Sequence, residues 1–458
     1  MKIRPNDTIA AIATPIGEGA IAVVRVSGSE SLGIVDKVFR GKTALRDASG
    51  YTVHLGEVWD QENKKVDQVL ATVFREPHSY TGENSVELSC HGGILISNLV
   101  LGAILAAGAR PADPGEFTKR AFLNGKLDLS QAEAVADIIA ARSQKACEVS
   151  MSQLNGKLSE RIGSLKKDLL EAASLLELEL DFSTENVPIV ERHQVQSVLS
   201  RARNSVDALL STYELGKAYR DGVSVIIVGK PNAGKSSLFN RILMDERAIV
   251  APIPGTTRDY IEESIVINGI LFKLFDTAGL REPSGSIEAI GISKTRSLSR
   301  TADIILEVID AAEPDGGSDL EARSAKSIKV FNKVDLVNDK RIGEIAVNLA
   351  LQSQECVFVS ALTGYGVDDL RETLAATVSD SQVRTQEDIR ITNSRHKDAL
   401  VRCMDGIDRA ADLNDVRISN ELVSFEIRQS VDALSEIVGE ISTDDILNAV
   451  FGRFCIGK

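Results

Sequence analysis

The stretch Gly229-Lys230-Pro231-Asn232-Ala233-Gly234-Lys235-Ser236 decides how this chain is read. Its spacing, GxxxxGK followed by Ser or Thr, is that of a phosphate-binding loop, whose glycines let backbone N–H groups converge on an anion. Val223 and the run Val225-Ile226-Ile227-Val228 precede it and read as a short buried strand. Ser237-Leu238-Phe239-Asn240-Arg241-Ile242-Leu243 follows with helical character. Strand, glycine loop and helix aim N–H groups at phosphate. Lys235 is expected to reach the outer phosphates and the Ser236 hydroxyl to ligate Mg²⁺, with Ala233, Gly234 and Ser237 completing the cradle. Alone, the motif also fits a chance glycine turn.

Further stretches downstream argue against chance. Asp276-Thr277-Ala278-Gly279 ends a strand-like run; an Asp there suits the Mg²⁺ shell and the Gly N–H suits a γ-phosphate. Asn332-Lys333-Val334-Asp335 follows another such run. The Asp335 carboxylate can accept from guanine N1–H and the amino group, a donor pair that adenine lacks. Ser360-Ala361-Leu362 suits a backbone contact to the base carbonyl. Gly255-Thr256-Thr257-Arg258-Asp259 supplies Thr257 as a switch threonine on Mg²⁺. Leu280 stands after Gly279, where many small GTPases carry a water-orienting Gln, and Leu cannot orient water. Arg258 is a candidate cis arginine or a structural ion-pair partner. Glu288, in a segment rich in Glu, Ser and Gly, is a candidate for orienting water or a solvated surface residue.

At 458 residues the chain exceeds one ordinary core, so two or three domains are expected. No signal peptide is read at the N-terminus. Ile94 to Ala109 is the nearest approach to a membrane span. It is short of the ~20 apolar residues needed, so a buried helix is the reading. Cys90, Cys147, Cys356, Cys403 and Cys455 are dispersed without a CxxC, which argues for a reducing, cytoplasmic setting and against zinc. The formal net charge of −14 disfavours bulk attraction to nucleic acid, so an RNA substrate would need a local basic patch or a basic partner.

Along the chain, Ala20 to Val26, Val69 to Phe74 and Val86 to Cys90 read as strands. His91-Gly92-Gly93 opens a helix at Ile94, the glycines serving an anion cradle or, preferably, a tight turn. Ser130 to Glu133 reads as a capping box. Leu158, Ile162, Leu165, Leu169, Ala172 and Leu176 keep a 4-3-4-3-4 spacing, the seam of one long helix in a bundle. Strands are expected at 261–267, 271–275, 304–309, 328–331 and 356–359, separated mostly by helices. Near the end, Leu400, Met404, Ile407 and Ala411 share one helical face, and Leu434, Ile437 and Ile441 another. The expected fold is multidomain, part α/β and part all-α. An N-terminal α/β domain spans 1–118, and a discontinuous helical domain spans 119–220 and 381–458. A doubly wound phosphate-loop GTPase domain, 221–380, is inserted between the helical halves.

GKPNAGKSS, GTTRD, DTAGLRE and NKVD together resemble bacterial translation-factor-like GTPases. Phe454-Cys455-Ile456-Gly457-Lys458 narrows this, with TPIGEGAIAVVRVSG, SYTGENSVELSCHGG and PGEFTKRAFLNGKLDLSQAEAVADII. Together they resemble the MnmE (TrmE) family of tRNA-modification GTPases over essentially the whole chain. The resemblance implies a homodimer whose N-terminal domains dimerise and bind 5-formyl- or methylene-tetrahydrofolate. An FAD-containing MnmG-type partner completes a heterotetramer that builds aminomethyl-type groups, carboxymethylaminomethyl included, on C5 of the wobble uridine of tRNA. By motif position, Arg25, Glu87, Lys126 and Lys458 correspond to folate-site residues, Cys455 to the tail cysteine and Glu288 to the catalytic Glu. K⁺ binding beside the phosphates falls to Asn232 and to the loop Ala251, Pro252, Ile253, Pro254, Gly255 and Thr256, with Ala251, Ile253 and Thr256 as ligands. The tail from Cys455 to Lys458 is expected to be short and mobile, with Gly457 giving it freedom.

Two other functions compete. A ribosome-assembly switch would carry a basic GxxG module or basic tail, and this C-terminal half has neither. A folate-dependent one-carbon enzyme merely regulated by its GTPase remains open on the motifs.

Overall fold

The computed structural model describes residues 7–181, 192–244, 262–276, 302–314, 326–350, 356–379, 389–416 and 419–458. Two compact units make up the chain. One comprises Met1–Ala136, Gln153–Glu171 and Arg428–Lys458; the other comprises Asp137–Ser152 and Ala172–Ile427.

The first unit holds a sheet of β1 (Ile9–Ile12), β2 (Ile21–Ser27), β3 (Phe39–Gly41), β4 (Thr52–Trp59), β5 (Lys65–Phe74), β6 (Ser85–His91) and β7 (Arg110–Pro111). Their order is β3-β4-β5-β6-β2-β1-β7, and only the short β1–β7 pair is parallel. Alternation along β2 explains the two faces: Ala22, Val24 and Val26 turn inward. They pack with Val69, Ala71, Val73, Val86 and Leu88 beneath the helices Ser31–Val38 and Ile94–Ala106. Of the expected strands, β2 and β6 form to within a residue of the spans named and β5 starts four residues earlier, at Lys65, while β1, β3, β4 and β7 are additional to those expected.

The Ile94 helix corrects one expectation. It buries Ser97, Val100, Ala103 and Ile104 against the sheet but leaves Ile94, Leu95 and Leu99 exposed, so it is covered on one side only. Its glycines serve the turn. A Cβ on Gly92 would lie 2.0 Å from the Gly19 carbonyl oxygen, and Gly93 sits at φ +124°.

The expected capping box is displaced. The helix Leu129–Ala140 is capped by Asp128, whose Oδ1 accepts from the Gln131 N–H at 2.9 Å. Gln131 Oε1 in turn accepts from the Asp128 N–H at 2.9 Å, which is the reciprocal pattern of a capping box two residues earlier than read. The Ser130 hydroxyl is spent on Asp128 Oδ1 and is fully buried. The seam of the helix Lys157–Asp181 is as expected, since Leu158, Ile162, Leu165, Leu169, Ala172 and Leu176 are all buried.

The second unit holds β8 (Val223–Val228), β9 (Glu262–Ile267), β10 (Ile270–Asp276), β11 (Ile304–Asp310), β12 (Lys326–Asn332) and β13 (Cys356–Phe358), in the order β13-β12-β11-β8-β10-β9. Every pair is parallel except β9–β10, whose hairpin turns on Asn268 and Gly269, both at positive φ. β8 is apolar on both faces because both are covered: Val225 and Ile227 join one cluster, Ile226 and Val228 another. In the helix Ser394–Asp415 the buried stripe runs through Leu400, Cys403, Ile407 and Ala410; Met404 and Ala411 flank it half-buried. Leu434 and Ile437 are buried in the helix Asn420–Val438. Ile441 lies beyond that helix and is exposed, which corrects its assignment to the same face. No helix among the described residues is long and apolar enough to cross a membrane.

Asp128→Ala removes both the cap and the acceptor of Ser130 and Ser159. It should destabilise the first unit by about 1–2 kcal/mol, more than Ser130→Ala does. The midpoints of denaturant unfolding of the two variants check this.

Candidate functional site

The phosphate loop leaves β8 at the carboxyl end of the parallel strands, where doubly wound sheets bind ligands. Its path needs glycine twice. Gly229 has φ +146°, and a Cβ there would lie 2.2 Å from the Val308 carbonyl oxygen. Gly234 has φ +91°, and a Cβ would lie 2.2 Å from Asn332 Nδ2. Asn232 adopts the left-handed conformation at φ +64°, which its short amide tolerates. Lys235 opens the helix Lys235–Met244, whose first N–H groups lack intrahelical acceptors. Its Nζ donates to the carbonyls of Gly229 at 2.9 Å and Lys230 at 2.8 Å, spanning the loop that phosphate would fill. Ala233 is buried beneath, while Asn232, Ser236 and Ser237 are exposed. The loop therefore fits a phosphate chain, with the hydroxyls of Ser236 and Ser237 open to an incoming ligand.

A second set of residues, the candidates for the base end, is tied to this loop. Asn332 is almost wholly buried. Its Nδ2 donates to the Ala233 carbonyl at 2.9 Å, and its Oδ1 accepts from the Ala361 N–H at 3.0 Å. One amide thus ties the phosphate loop to the Ser360-Ala361-Leu362 loop. Asp335 is exposed at the surface and accepts from the Ser360 hydroxyl through Oδ1. Lys333, at φ +66°, pairs with Asp310 at 2.7 Å. Burial pushes the Asp310 carboxyl up, but the Lys333 hydrogen bond, the Ala312 N–H and the Lys333 charge outweigh it and hold the group below its ordinary value. Asp310 was missed from the sequence, although it ends β11 as Asn332 ends β12, directly opposite it in register. Leu362 is exposed, and its carbonyl accepts from Arg241.

Asp276 ends β10 opposite Ile227 of β8. Ala251, Pro252, Ile253, Pro254, Gly255, Thr256, Thr257 and Arg258 lie outside the described residues, as do Thr277, Ala278, Gly279 and Glu288. Among the described residues no cluster of His, Cys, Asp and Glu forms a metal site.

A separate cluster forms in the first unit, on the face of the sheet away from the helices 31–38 and 94–106. Arg25 of β2 and Glu87 of β6 stand directly opposite each other, and Arg25 Nε donates to Glu87 Oε1 at 2.8 Å. The guanidinium carbon lies 5.3 Å from the centre of the Tyr80 ring and 5.6 Å from that of Phe117. Arg25 Nη1 is buried and has no hydrogen-bond partner.

Lys458 joins this pair. Burial lowers its ammonium pKa, the charge of Arg25 lowers it further, and Glu87 only partly offsets them. The expectation of a mobile tail is thereby corrected. The Phe117 N–H donates to the Lys458 carbonyl at 3.2 Å and the Gly115 N–H to that of Cys455 at 3.4 Å. Gly457 has φ +99°, and a Cβ there would lie 2.3 Å from the Ile12 carbonyl oxygen. Its glycine serves this close approach, not freedom. Phe451 and Phe454 anchor the segment in a cluster with Leu129, Ala132 and Leu447. The Cys455 side chain is an exposed free thiol. Lys126 stands apart: its Nζ donates to the Pro77 carbonyl at 3.2 Å, with no hydrogen bond or ion pair to Arg25, Glu87 or Lys458.

Two family models match the chain, and relatives match along its whole length. Residues 129–455 match the family model "MnmE helical domain", and residues 8–126 match "GTP-binding protein TrmE N-terminus". A tRNA modification GTPase MnmE from Chlorobaculum tepidum is 42% identical over 467 residues, covering 99% of this chain and 98% of that protein. Those of Salinibacter ruber and Syntrophus aciditrophicus are 41% and 42% identical, each over 99% of this chain and 99% and 100% of their own lengths.

If Asp335 reads the base, Asp335→Asn should weaken GTP binding and admit xanthosine triphosphate. Xanthine carries a C2 carbonyl where guanine has its amino group, so the new amide N–H can donate to it. Competition binding with the two nucleotides measures the switch, and undiminished preference for GTP would remove Asp335 from the base site.

Proposed function

The chain belongs to the MnmE (TrmE) family of tRNA modification GTPases, and from that premise we propose that it hydrolyses GTP to drive modification at C5 of the wobble uridine of certain tRNAs. The group added is of the aminomethyl or carboxymethylaminomethyl type, with a tetrahydrofolate as one-carbon donor and an FAD-dependent MnmG-type protein as partner. The observation that carries the GTPase half is the Asn332 amide, which locks phosphate loop and base loop into one preformed site.

In that site the phosphates of GTP take over Lys235 from the Gly229 and Lys230 carbonyls, and Asp335 accepts from the guanine edge. Ser236 and Thr257 are the residues to hold Mg²⁺. Asn232, with the backbone of Ala251, Ile253 and Thr256, is the set to hold K⁺. When bound, these ions supply positive charge at the β–γ bridge. Glu288 is assigned the orientation of water, a task that Leu280 cannot perform.

The folate reading rests on Arg25, Glu87 and Lys458, with Lys126 at the margin. Two cations and one carboxylate suit a ligand that carries both carboxylates and polar N–H donors. Cys455 precedes Lys458 in the same tail, and its carbonyl accepts from the Gly115 N–H. Ile21, Val53, Leu55 and Leu70 are exposed on the same sheet face as Arg25 and Glu87, and this apolar surface supports a homodimer built there. With a net charge of −14, the chain leaves most of the tRNA phosphate contact to a basic partner surface. We infer a cytoplasmic setting from such a substrate together with the dispersed free cysteines.

Replacing KCl by NaCl at constant ionic strength should lower kcat for GTP about tenfold or more, because K⁺ here fills the place of an arginine finger. Equal rates in the two salts would count against the K⁺ assignment. Nucleoside analysis of tRNA from cells lacking this protein tests the whole. Modified wobble uridines should vanish, return with the full chain, and stay absent when Cys455 to Lys458 are deleted; unchanged uridines in the deletion strain would sink the reading.

A further inference from the structure

Arg25 is held in an unusual way for a residue on an open sheet face. Its Nε is committed to Glu87 at 2.8 Å, yet its Nη1 is buried without any acceptor. A buried guanidinium N–H left unpaired is costly unless a ligand completes it. The guanidinium carbon also lies over two rings, 5.3 Å from the Tyr80 centre and 5.6 Å from the Phe117 centre. Both rings are themselves fixed. Phe117 is fully buried with Ile9, Ala11 and Ala112, and Tyr80 packs against that cluster. The Tyr80 hydroxyl lies 2.9 Å from Thr118 Oγ1, whose residue is fully buried. Burial pushes the Tyr80 phenol up, so it stays neutral at working pH and the brace does not titrate.

We propose that Tyr80, backed by Phe117, is a positioning residue that clamps the Arg25 guanidinium so that its unpaired Nη1 meets a hydrogen-bond acceptor of the ligand beside Glu87 and Lys458. The proposal rests on the reading of that cluster as a folate site. Arginine is suited to the task because its flat, weakly hydrated cation stacks on an aromatic face while its edge still donates. The clamp removes rotamer freedom before binding, and the ligand then loses less on docking.

Calorimetry with 5-formyl-tetrahydrofolate on the full chain tests this. Tyr80→Met, which keeps an apolar side chain of similar reach but has no π face, should raise Kd about tenfold. Tyr80→Phe keeps the ring and should stay within about threefold of the parent. Tyr80→Leu serves if the Met variant does not fold. In an Arg25→Gln background, Tyr80→Met should add nothing, because the group it positions is gone. A merely structural Tyr80 would weaken binding equally in both backgrounds, and that result overturns the clamp, as does unchanged affinity of Tyr80→Met. If Arg25→Gln alone leaves affinity intact, the folate reading itself falls and the clamp with it.

Discussion

Buried Arg120, half-buried Arg110 and three carboxylates fix the base on which the first unit's site stands. Glu116 is at their centre. Arg110 Nη1 donates to its Oε2 at 2.8 Å and Arg120 to its Oε1 at 3.1 Å, while Arg120 also reaches Glu83 and Asp7. Glu116 and Arg120 are almost wholly buried. Burial pushes the Glu116 carboxyl up, but the Arg110 hydrogen bond, the Asp113 N–H and Arg120 outweigh it and hold it below the ordinary range. Such a cluster adds little net stability, yet losing one member strands a charge at a cost of about 3–5 kcal/mol. Its effect is to set the first turn of the helix Glu116–Leu123. That turn presents the Gly115 and Phe117 N–H groups to the tail and the Phe117 ring to Arg25.

The nucleotide half relies on a different constraint. Asn332 makes its two hydrogen bonds to backbone, so the distance between phosphate loop and base loop does not depend on side-chain rotamers at either end. Lys235 holds the loop open by bonding carbonyls that give way to a stronger acceptor. Between these two loops little need reorganise when nucleotide arrives, which is what preorganised electrostatics requires.

These two constraints differ in how far a sequence shows them. The phosphate loop, the β8 strand and the long seam from Leu158 to Leu176 are local patterns: glycine spacing, a β-branched run, a 3.5-residue period. Each was legible because neighbours in sequence are neighbours in space. The cap at Asp128 was harder, since Asp128 to Gln131 and Ser130 to Glu133 both offer the right residues. Only the hydrogen bonds choose, and they leave the Ser130 hydroxyl buried on Asp128. The tail was harder still. Gly457 looks permissive in sequence, and what demands a glycine there is the carbonyl of Ile12, at the other end of the chain. Arg25 and Glu87 entered through family resemblance; their pairing is a matter of strand register, which no spacing within either strand specifies.

The docked tail gives the first unit's site an electrostatic property the chain as a whole lacks. The protein is strongly acidic, yet Lys458 and Arg25 approach closely enough for the charge of Arg25 to act on Lys458, with the Glu87 carboxylate partly offsetting it. Burial comes first and the charge of Arg25 second in making the Lys458 ammonium easier to deprotonate. An anionic ligand seated there would relieve that repulsion and favour the charged lysine. Linkage is reciprocal: whatever the docked tail contributes to ligand affinity, the ligand returns to tail docking. The tail is held by backbone N–H groups of the same helix that carries Phe117. The ring that braces Arg25 and the amide that holds Lys458 therefore belong to one residue. On the folate reading, ligand binding at Arg25 and docking of the tail through Lys458 would favour each other.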